Sequence, residues 1–184
     1  MLRVLSGQFA GRTIETPGGR RTRPPLARVR KAVFDVLRPH IEGASVLDLF
    51  GGSGSYAFEA LSGGAQDAAV IELSDAAANV IAKNAGKLGV SERVRLIKSD
   101  AFREITRLAR GGCAFDIVFV APPQGRGMVE RAMKALNENP LLKKEAIAVC
   151  QFETGEIENP EFPGFTQWRR KKYGNTEVAF YLFV

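Results

Sequence analysis

Asp48-Leu49-Phe50-Gly51-Gly52-Ser53-Gly54 is the stretch that decides the fold of this 184-residue chain. The apolar run of residues 45–49 predicts a buried strand, and residues 55–61 predict the helix that follows. Glycines between a strand and a helix let the backbone pass close to a ligand. In open α/β sheets, ligands bind at the carboxyl ends of the strands. The stretch therefore predicts a binding loop between the first strand and the first helix of a wound α/β domain.

Strands and helices alternate after this loop. Short apolar runs predict strands at 69–72, 94–97, 116–120 and 146–150, and amphipathic stretches predict helices at 75–88, 102–109 and 128–136. Right-handed crossovers between such strands give an open, mainly parallel, doubly wound sheet. The β-rich run 177–183 is reached through turns at Gly164 and Gly174, and it predicts a terminal antiparallel strand. We therefore expect an α/β, Rossmann-like fold.

The residues before residue 44 predict a small extension. Residues 2–6 and 11–16 can pair as a hairpin, and residues 16–25 predict a Gly/Pro/Arg loop. The apolar positions between Leu26 and Leu37 predict a helix that Pro39 closes. We therefore divide the chain into an N-terminal extension, residues 1–43, and a main domain, residues 44–184.

Positive charge is concentrated in this extension. Its first 40 residues carry nine Lys or Arg against two acidic residues, a balance of +7, so the remaining 144 residues sum to −1 within the total of +6. Residues 169–172, Arg-Arg-Lys-Lys, form a second basic cluster. Such asymmetry is typical of a polyanion-binding protein, and a solvated basic face is the alternative. The candidate contacts to a polyanion such as a nucleic acid are Arg20, Arg21, Arg23, Arg28 and Arg30.

Several classes of protein are disfavoured by what the chain contains. Cys113 and Cys150 have no CxxC partner, and His40 is the single histidine, so neither a disulfide framework nor a metal site is expected. The chain has no signal-peptide pattern and no apolar run of about 18 residues. We therefore expect a cytoplasmic protein without membrane contact.

Two kinds of cofactor fit the glycine stretch. Gly52-x-Gly54-x-x-Ala57, with Glu72 at the end of the second strand, also satisfies a dinucleotide fingerprint. Asp48 separates the two interpretations, because a carboxylate there would lie near the pyrophosphate of NAD. The same charge suits the ammonium and the sulfonium of S-adenosylmethionine. The charge argument therefore favours S-adenosylmethionine.

Two further acidic residues complete the predicted cofactor site. Glu72 can accept hydrogen bonds from both ribose hydroxyls, and Asp100 follows the third strand, where it can meet the adenine amino group. The structural alternative is that Asp48 caps the following turn and that Asp100 caps a helix. The candidate cofactor contacts are Asp48, Gly51, Gly52, Ser53, Gly54, Glu72, Asp100 and Ala101.

Five segments of the chain resemble the bacterial RsmD family, and the match spans nearly the whole sequence. They are Thr22-Arg23-Pro24-Pro25, residues 28–34 (RVRKAVF), residues 47–54 (LDLFGGSG), residues 59–65 (EALSGGA) and Lys172-Tyr173-Gly174-Asn175-Thr176. The resemblance implies a class I methyltransferase fold with a small N-terminal extension. It also implies guanine-N2 methylation of 16S ribosomal RNA, as free RNA or in the assembling 30S subunit. Cofactor contacts are implied at Asp48, Gly51, Gly52, Gly54, Glu72 and Asp100.

The sequence departs from the family pattern after the fourth strand. Family members carry Asp or Asn, two prolines and an aromatic residue, whereas this chain has Ala121-Pro122-Pro123-Gln124 as its candidate catalytic segment. The polar side chain of the family motif accepts a hydrogen bond from the target amine, and the aromatic ring stacks on the base. Ala121 keeps only its backbone carbonyl as an acceptor, and Gln124 can bond a base edge without stacking.

Three hypotheses follow from this departure. The first is an enzyme that methylates an exocyclic amine of ribosomal RNA. The second is a non-catalytic protein that binds ribosomal RNA and S-adenosylmethionine through a degenerate catalytic motif. The third is an enzyme that acts on something other than RNA, and the basic N-terminal segment argues against it.

Overall fold

The computed structural model describes residues 1–18, 27–123, 126–158 and 160–184. Its strands are β1 (Leu2–Arg3), β2 (Thr13–Ile14), β3 (Ser45–Asp48), β4 (Asp67–Glu72), β5 (Val94–Lys98), β6 (Phe115–Val120), β7 (Leu142–Glu153), β8 (Phe165–Tyr173) and β9 (Thr176–Phe183). Its α-helices are α1 (Ala27–Ile41), α2 (Ser55–Ser62), α3 (Asp75–Leu88), α4 (Ala101–Arg110) and α5 (Met128–Glu138). Short 3₁₀ helices span Gly7–Phe9 and Ser91–Arg93.

Seven strands form one sheet in the order β5-β4-β3-β6-β7-β9-β8. The five strands from β5 to β7 run parallel, whereas β9 is antiparallel to β7 and to β8. The strand order reverses between the neighbouring strands β3 and β6, and open α/β sheets bind ligands at such a point. The predicted Rossmann-like fold with an antiparallel C-terminal strand is confirmed.

The two faces of the sheet carry separate hydrophobic cores because successive strand residues point to opposite sides. Val46 of β3 and Ile117 of β6 belong to the first core, which α1, α2 and α3 cover. Leu47 of β3 and Val118 of β6 belong to the second core, which α4 and α5 cover. These near-continuous apolar strands are typical of a parallel sheet buried on both faces.

The N-terminal hairpin is confirmed, and it packs on the sheet domain. β1 pairs antiparallel with β2, and Val4, Phe9 and Ile14 lie in the first core. The Oγ of Ser62 at the end of α2 accepts a hydrogen bond from the N–H of Phe9 at 2.8 Å. The hairpin therefore shares its core with the main domain, and the division at residue 44 remains a prediction.

Two predicted details differ from the structure. Pro39 does not close α1, which continues to Ile41. Ile41 is buried in the first core, and this burial stabilises the last turn although Pro39 lacks an N–H donor. β8 is a strand that the apolar pattern did not predict, because its residues 166–172 are polar or aromatic and mostly exposed. None of the helices in the described ranges is long and apolar enough to span a membrane.

Candidate active site

The glycine loop lies tightly against the end of β4. The N–H of Gly51 donates to the carbonyl of Ile71 at 2.8 Å, and a Cβ on Gly51 would lie 2.6 Å from Cγ1 of Val70. Gly54 has a φ of 75°, and a Cβ there would lie 2.5 Å from the Phe58 ring. Side chains at these positions would displace the loop, so the glycines hold its backbone close to the sheet edge.

Glu72 is held at the same edge by two backbone amides. The N–H of Gly52 donates to Oε2 at 2.7 Å, and the N–H of Ser74 donates to Oε1 at 2.7 Å. The carboxylate therefore links the glycine loop to the loop after β4. Each carboxylate oxygen has two acceptor sites, so Glu72 keeps capacity for ligand hydroxyls.

Asp48 is a buried carboxyl at the end of β3. Desolvation raises its pKa to about 7 against a hydrogen bond from the N–H of Phe50, and the charge of Glu72 adds to the rise. Among the described residues, neither Asp48 nor Glu72 forms a salt bridge with a lysine or arginine. The pair therefore creates an electrostatic preference for a cationic ligand.

Asp100 caps α4, as the structural alternative proposed. Its Oδ1 accepts a hydrogen bond from the N–H of Arg103 at 3.0 Å, and Ala101 is buried as the first residue of the helix. The N–H of Ser99 donates to the carbonyl of Glu72 at 3.1 Å, so Asp100 lies beside the end of β4. Leu73 is 70% exposed at this place, and it was not predicted from the sequence. A large apolar residue between Glu72 and Ser74, just outside the apolar run of β4, is the signal that points to it.

The candidate catalytic loop follows β6 directly. Val118 of β6 is in register with Leu47 of β3, and Val120 is in register with Cys150 of β7. Ala121 is half-buried against the first core, Pro122 is buried and Pro123 is exposed. Gln124 lies outside the described residues. The ends of β3, β4 and β6 thus bring Asp48, Glu72 and Ala121 to one edge of the sheet.

An aromatic group supports this edge from the side of the first core. The rings of Tyr56 and Phe119 stack at a centroid distance of 4.7 Å, and Phe34 of α1 lies 6.2 Å from Tyr56. The Tyr56 hydroxyl donates to Oε1 of Gln151 at 2.6 Å. Gln151 follows Cys150, the register partner of Val120, so it lies next to Ala121. Neither residue could be predicted from the sequence, because a tyrosine on a helix and a glutamine at the end of a strand carry no local signal.

The structure separates the predicted RNA contacts. Arg28 is exposed at the start of α1, and its Nη2 lies 3.2 Å from the Cβ position of Gly174 in the β8–β9 turn. Arg30 is buried, with 1% of its surface exposed, and its Nε lies 2.9 Å from Oε1 of Glu59. Its guanidinium also donates to the carbonyl of Arg3 at 2.6 Å. The assignment of Arg30 to RNA is therefore corrected to a structural role. Arg20, Arg21 and Arg23 lie outside the described residues.

Strand order, the glycine loop and the acidic end of β4 fit the class of S-adenosylmethionine-dependent methyltransferases. In the described part of the chain, no group of three or more His, Cys, Asp or Glu side chains could hold a metal ion. The chain belongs to the family described as Conserved hypothetical protein 95, whose profile matches residues 2–182.

Named relatives agree with this class. Ribosomal RNA small subunit methyltransferase D of Escherichia coli (strain K12) is 35% identical over 184 residues, which cover 99% of this chain and 89% of that protein. The enzyme of the same name from Haemophilus influenzae is 32% identical over 152 residues, covering 83% and 79%. The solved structure "Putative methyltransferase yhhF from Escherichia coli" has a TM-score of 0.86 at 32% identity, covering 99% and 97%. The predicted RsmD family and the methyltransferase class are confirmed.

Proposed function

We propose that this methyltransferase transfers the methyl group of S-adenosylmethionine to an exocyclic base amine of ribosomal RNA, namely N2 of a guanine in 16S rRNA. The observation that carries the proposal is the convergence of Asp48, Glu72 and the loop 121–123 at the carboxyl ends of three adjacent strands. An acidic binding site beside a rigid proline loop suits a cationic cofactor and a neighbouring base. The RNA substrate is supported by the names of the relatives.

The residues present fit S-adenosylmethionine. Asp48 and Glu72 form a carboxylate pair without a salt-bridge partner among the described residues, and burial, with a smaller contribution from the charge of Glu72, raises the pKa of Asp48. A ligand with an ammonium and a sulfonium compensates that charge. Glu72 would accept from the ribose hydroxyls, and Oδ2 of Asp100 would accept from the adenine amino group. The exposed Leu73 would pack against the adenine ring.

The loop after β6 would orient the target base. When bound, S-adenosylmethionine supplies a methyl group on a cationic sulfur for in-line displacement. The Ala121 carbonyl would accept a hydrogen bond from the target amine and direct the nitrogen lone pair toward that methyl group. Pro122 and Pro123 restrict the backbone, so the carbonyl keeps its direction without help from a side chain.

One observation favours a second candidate function, a non-catalytic protein that binds the same RNA and cofactor. Ala121 has no polar side chain, and its methyl group packs against the first core. Removing one preorganised polar contact lowers a rate by about 100- to 1,000-fold. The site would then retain binding while transferring methyl groups slowly or not at all.

The test is transfer of labelled methyl from S-adenosylmethionine to 30S subunits whose 16S rRNA lacks guanine-N2 methylation. We expect label at N2 of a guanine with the wild-type protein and with Glu92→Ala. Glu92 is exposed near the amino ends of the parallel strands, whereas Glu72 lies at a carboxyl end. Glu92→Ala is therefore the matched control for Glu72→Ala. Glu72→Ala should lose the label at low cofactor concentration. Binding of both cofactor and RNA without any transfer would favour the non-catalytic candidate.

A further inference from the structure

A surface groove runs between α1 and the edge strand β8. It encloses a cavity of about 210 Å³. The residues that form its two walls are Ala32, Asp35 and Val36 of α1 and Arg169, Lys171 and Tyr173 of β8. Arg169 and Lys171 belong to the second basic cluster of the sequence, which the proposed active site does not use.

The charge of the groove is positive. Arg169 and Lys171 are exposed and form no salt bridge within the described ranges of the chain. Asp35 is already neutralised, because Lys31 Nζ lies 2.7 Å from its Oδ2 and Arg38 Nη2 lies 2.9 Å from its Oδ1. The two cations of the walls, Arg169 and Lys171, are therefore not offset by Asp35, whose charge Lys31 and Arg38 already balance. Such a surface favours a polyanion.

Aromatic side chains stand at both ends of the cationic pair. Trp168 is 42% exposed, with its ring edge-on to His40 of α1 at a centroid distance of 5.6 Å. At the other end, Lys171 Nζ lies 5.5 Å from the centre of the Tyr173 ring. Grooves for single-stranded nucleic acid combine cations with aromatic rings in this way, because phosphates contact the cations and bases stack on the rings.

The groove is continuous with the edge of the sheet that holds the proposed active site. Tyr173 ends β8, and the turn after it carries Gly174, whose Cβ position lies 3.2 Å from Nη2 of Arg28. The Gly174 carbonyl accepts a hydrogen bond from Oγ1 of Thr154, immediately after the carboxyl end of β7. An RNA strand that leaves the proposed active site would therefore pass Arg28 and enter the groove.

We propose that the α1–β8 groove binds a single-stranded segment of the RNA substrate beyond the target base. Two phosphates contact Arg169 and Lys171, and an unpaired base stacks on Trp168. This inference rests on the proposed RNA methyltransferase function. It adds a second contact surface, made from the C-terminal hairpin and α1, to the basic N-terminal segment.

Trp168 provides a direct signal, because it is the single tryptophan of the chain. The probe is an oligouridylate of about ten nucleotides, within the length that one single-strand groove covers. Its titration should quench tryptophan fluorescence in parallel with the rise in anisotropy of the labelled RNA. Arg169→Ala/Lys171→Ala should weaken binding about tenfold and reduce the slope of log affinity against log salt by about 1.4.

The matched control is Arg110→Ala/Lys144→Ala, which also removes one arginine and one lysine. Arg110 ends α4 and Lys144 lies near the start of β7. Both exposed side chains are therefore near the amino ends of the parallel strands, opposite the carboxyl ends that hold the proposed active site. This variant should keep RNA affinity within about twofold, because neither side chain lines the groove and exposed charges outside it are screened by salt. Melting curves of both variants should match the wild type, since all four side chains are exposed.

Two results would contradict RNA binding in the groove without contradicting the proposed function. RNA could bind without a change in Trp168 fluorescence and with equal losses in both double variants. Alternatively, Arg169→Ala/Lys171→Ala could change the oligomeric state in light scattering and leave RNA affinity intact, which would assign the groove to a second copy of the chain. Failure of the proposed function has a different signature, namely no methyl transfer to 16S rRNA by the wild-type protein.

Discussion

The Tyr56 hydroxyl donates a 2.6 Å hydrogen bond to Oε1 of Gln151, and this bond joins α2 to the end of β7 beside Ala121. Tyr56 is buried, and desolvation together with the nearby charge of Asp48 raises its pKa, so the phenol stays a donor. Because Oε1 accepts this hydrogen bond, the Gln151 side chain directs its amide N–H groups away from Tyr56. The hydrogen bond therefore connects the proposed cofactor site to the loop proposed to hold the target base.

The first prediction concerns this hydrogen bond. Tyr56→Phe keeps the ring stacked on Phe119 and removes only the hydroxyl, so it should destabilise the fold by about 1 kcal/mol. Because Gln151 would lose its fixed orientation, methyl transfer should fall while affinity for S-adenosylhomocysteine changes less than threefold. Single-turnover transfer and calorimetry separate the two effects. Equal losses in rate and cofactor affinity would contradict a role on the target-base side.

The second prediction concerns pH and Asp48. The ordinary pKa of an aspartate carboxyl is 3.8, whereas that of Asp48 is about 7 in the folded protein. Between these pH values the folded protein therefore binds more protons than the unfolded chain. The free energy of unfolding should therefore fall as pH rises from about 4 to 7, by up to about 1.4 kcal/mol per pH unit from this group. Urea unfolding across this range should show the slope, and Asp48→Asn should remove it.

Cofactor binding should have the opposite pH dependence in the same window. The ionised Asp48 attracts the ammonium of S-adenosylhomocysteine, which stays protonated throughout this pH range. Affinity should therefore rise as pH increases toward 7 and level off above it, and Asp48→Asn should flatten the curve. Calorimetry with the wild type and this variant makes the comparison. A flat wild-type profile would show that Asp48 faces no ligand charge.

The third prediction identifies the cofactor through Glu72. Glu72→Ala should weaken S-adenosylmethionine and S-adenosylhomocysteine alike, by about tenfold or more, because the ribose loses its acceptor and the glycine loop loses the bond from Gly52. Glu72→Gln should lose less, since its amide keeps one acceptor oxygen. Competition calorimetry should show no displacement by NAD. Tight NAD binding would instead restore the dinucleotide interpretation.

The fourth prediction concerns the buried ion pair of Arg30 and Glu59. Arg30→Ala leaves Glu59 without its partner in a buried position, so it should lower the free energy of unfolding by about 3–5 kcal/mol. Arg30→Met/Glu59→Leu should recover much of that loss. Arg28→Ala, two residues away and exposed, should leave stability within about 0.5 kcal/mol and weaken RNA binding. Urea unfolding and RNA anisotropy measure these two effects. If Arg30 were instead an exposed RNA contact, Arg30→Ala would weaken RNA binding and leave stability unchanged.

The fifth prediction restores the family motif. Ala121→Asn adds a side-chain acceptor beside the target amine, so methyl transfer should rise while cofactor affinity changes little. The measurement is single-turnover transfer to unmethylated 30S subunits. If the wild type is already fast and Ala121→Asn slows it, the backbone carbonyl at this position orients the amine without a side chain.

Sequence alone determined the alternation of strands and helices and the position of the glycine loop between β3 and α2. The α3 bounds, Asp75–Leu88, agree with the prediction because Ser74 accepts from the N–H of Ala77 at one end and Gly89 adopts a left-handed φ of 75° at the other. The loop from Asp48 to Gly54 was also predictable. Its glycines, its acidic residue and its place between strand and helix are all local features of the chain.

Tertiary structure decided what depends on distant partners. Arg30 looked like one more exposed cation of a basic helix, and its burial depends on Glu59, which lies 29 residues further along the chain. β8 is a strand because β9 pairs with it, although its exposed polar residues give no apolar pattern. Tyr56 and Gln151 meet across 95 residues. Local patterns specify backbone conformation, whereas buried polar pairs and edge-strand pairing arise only when separate elements pack together.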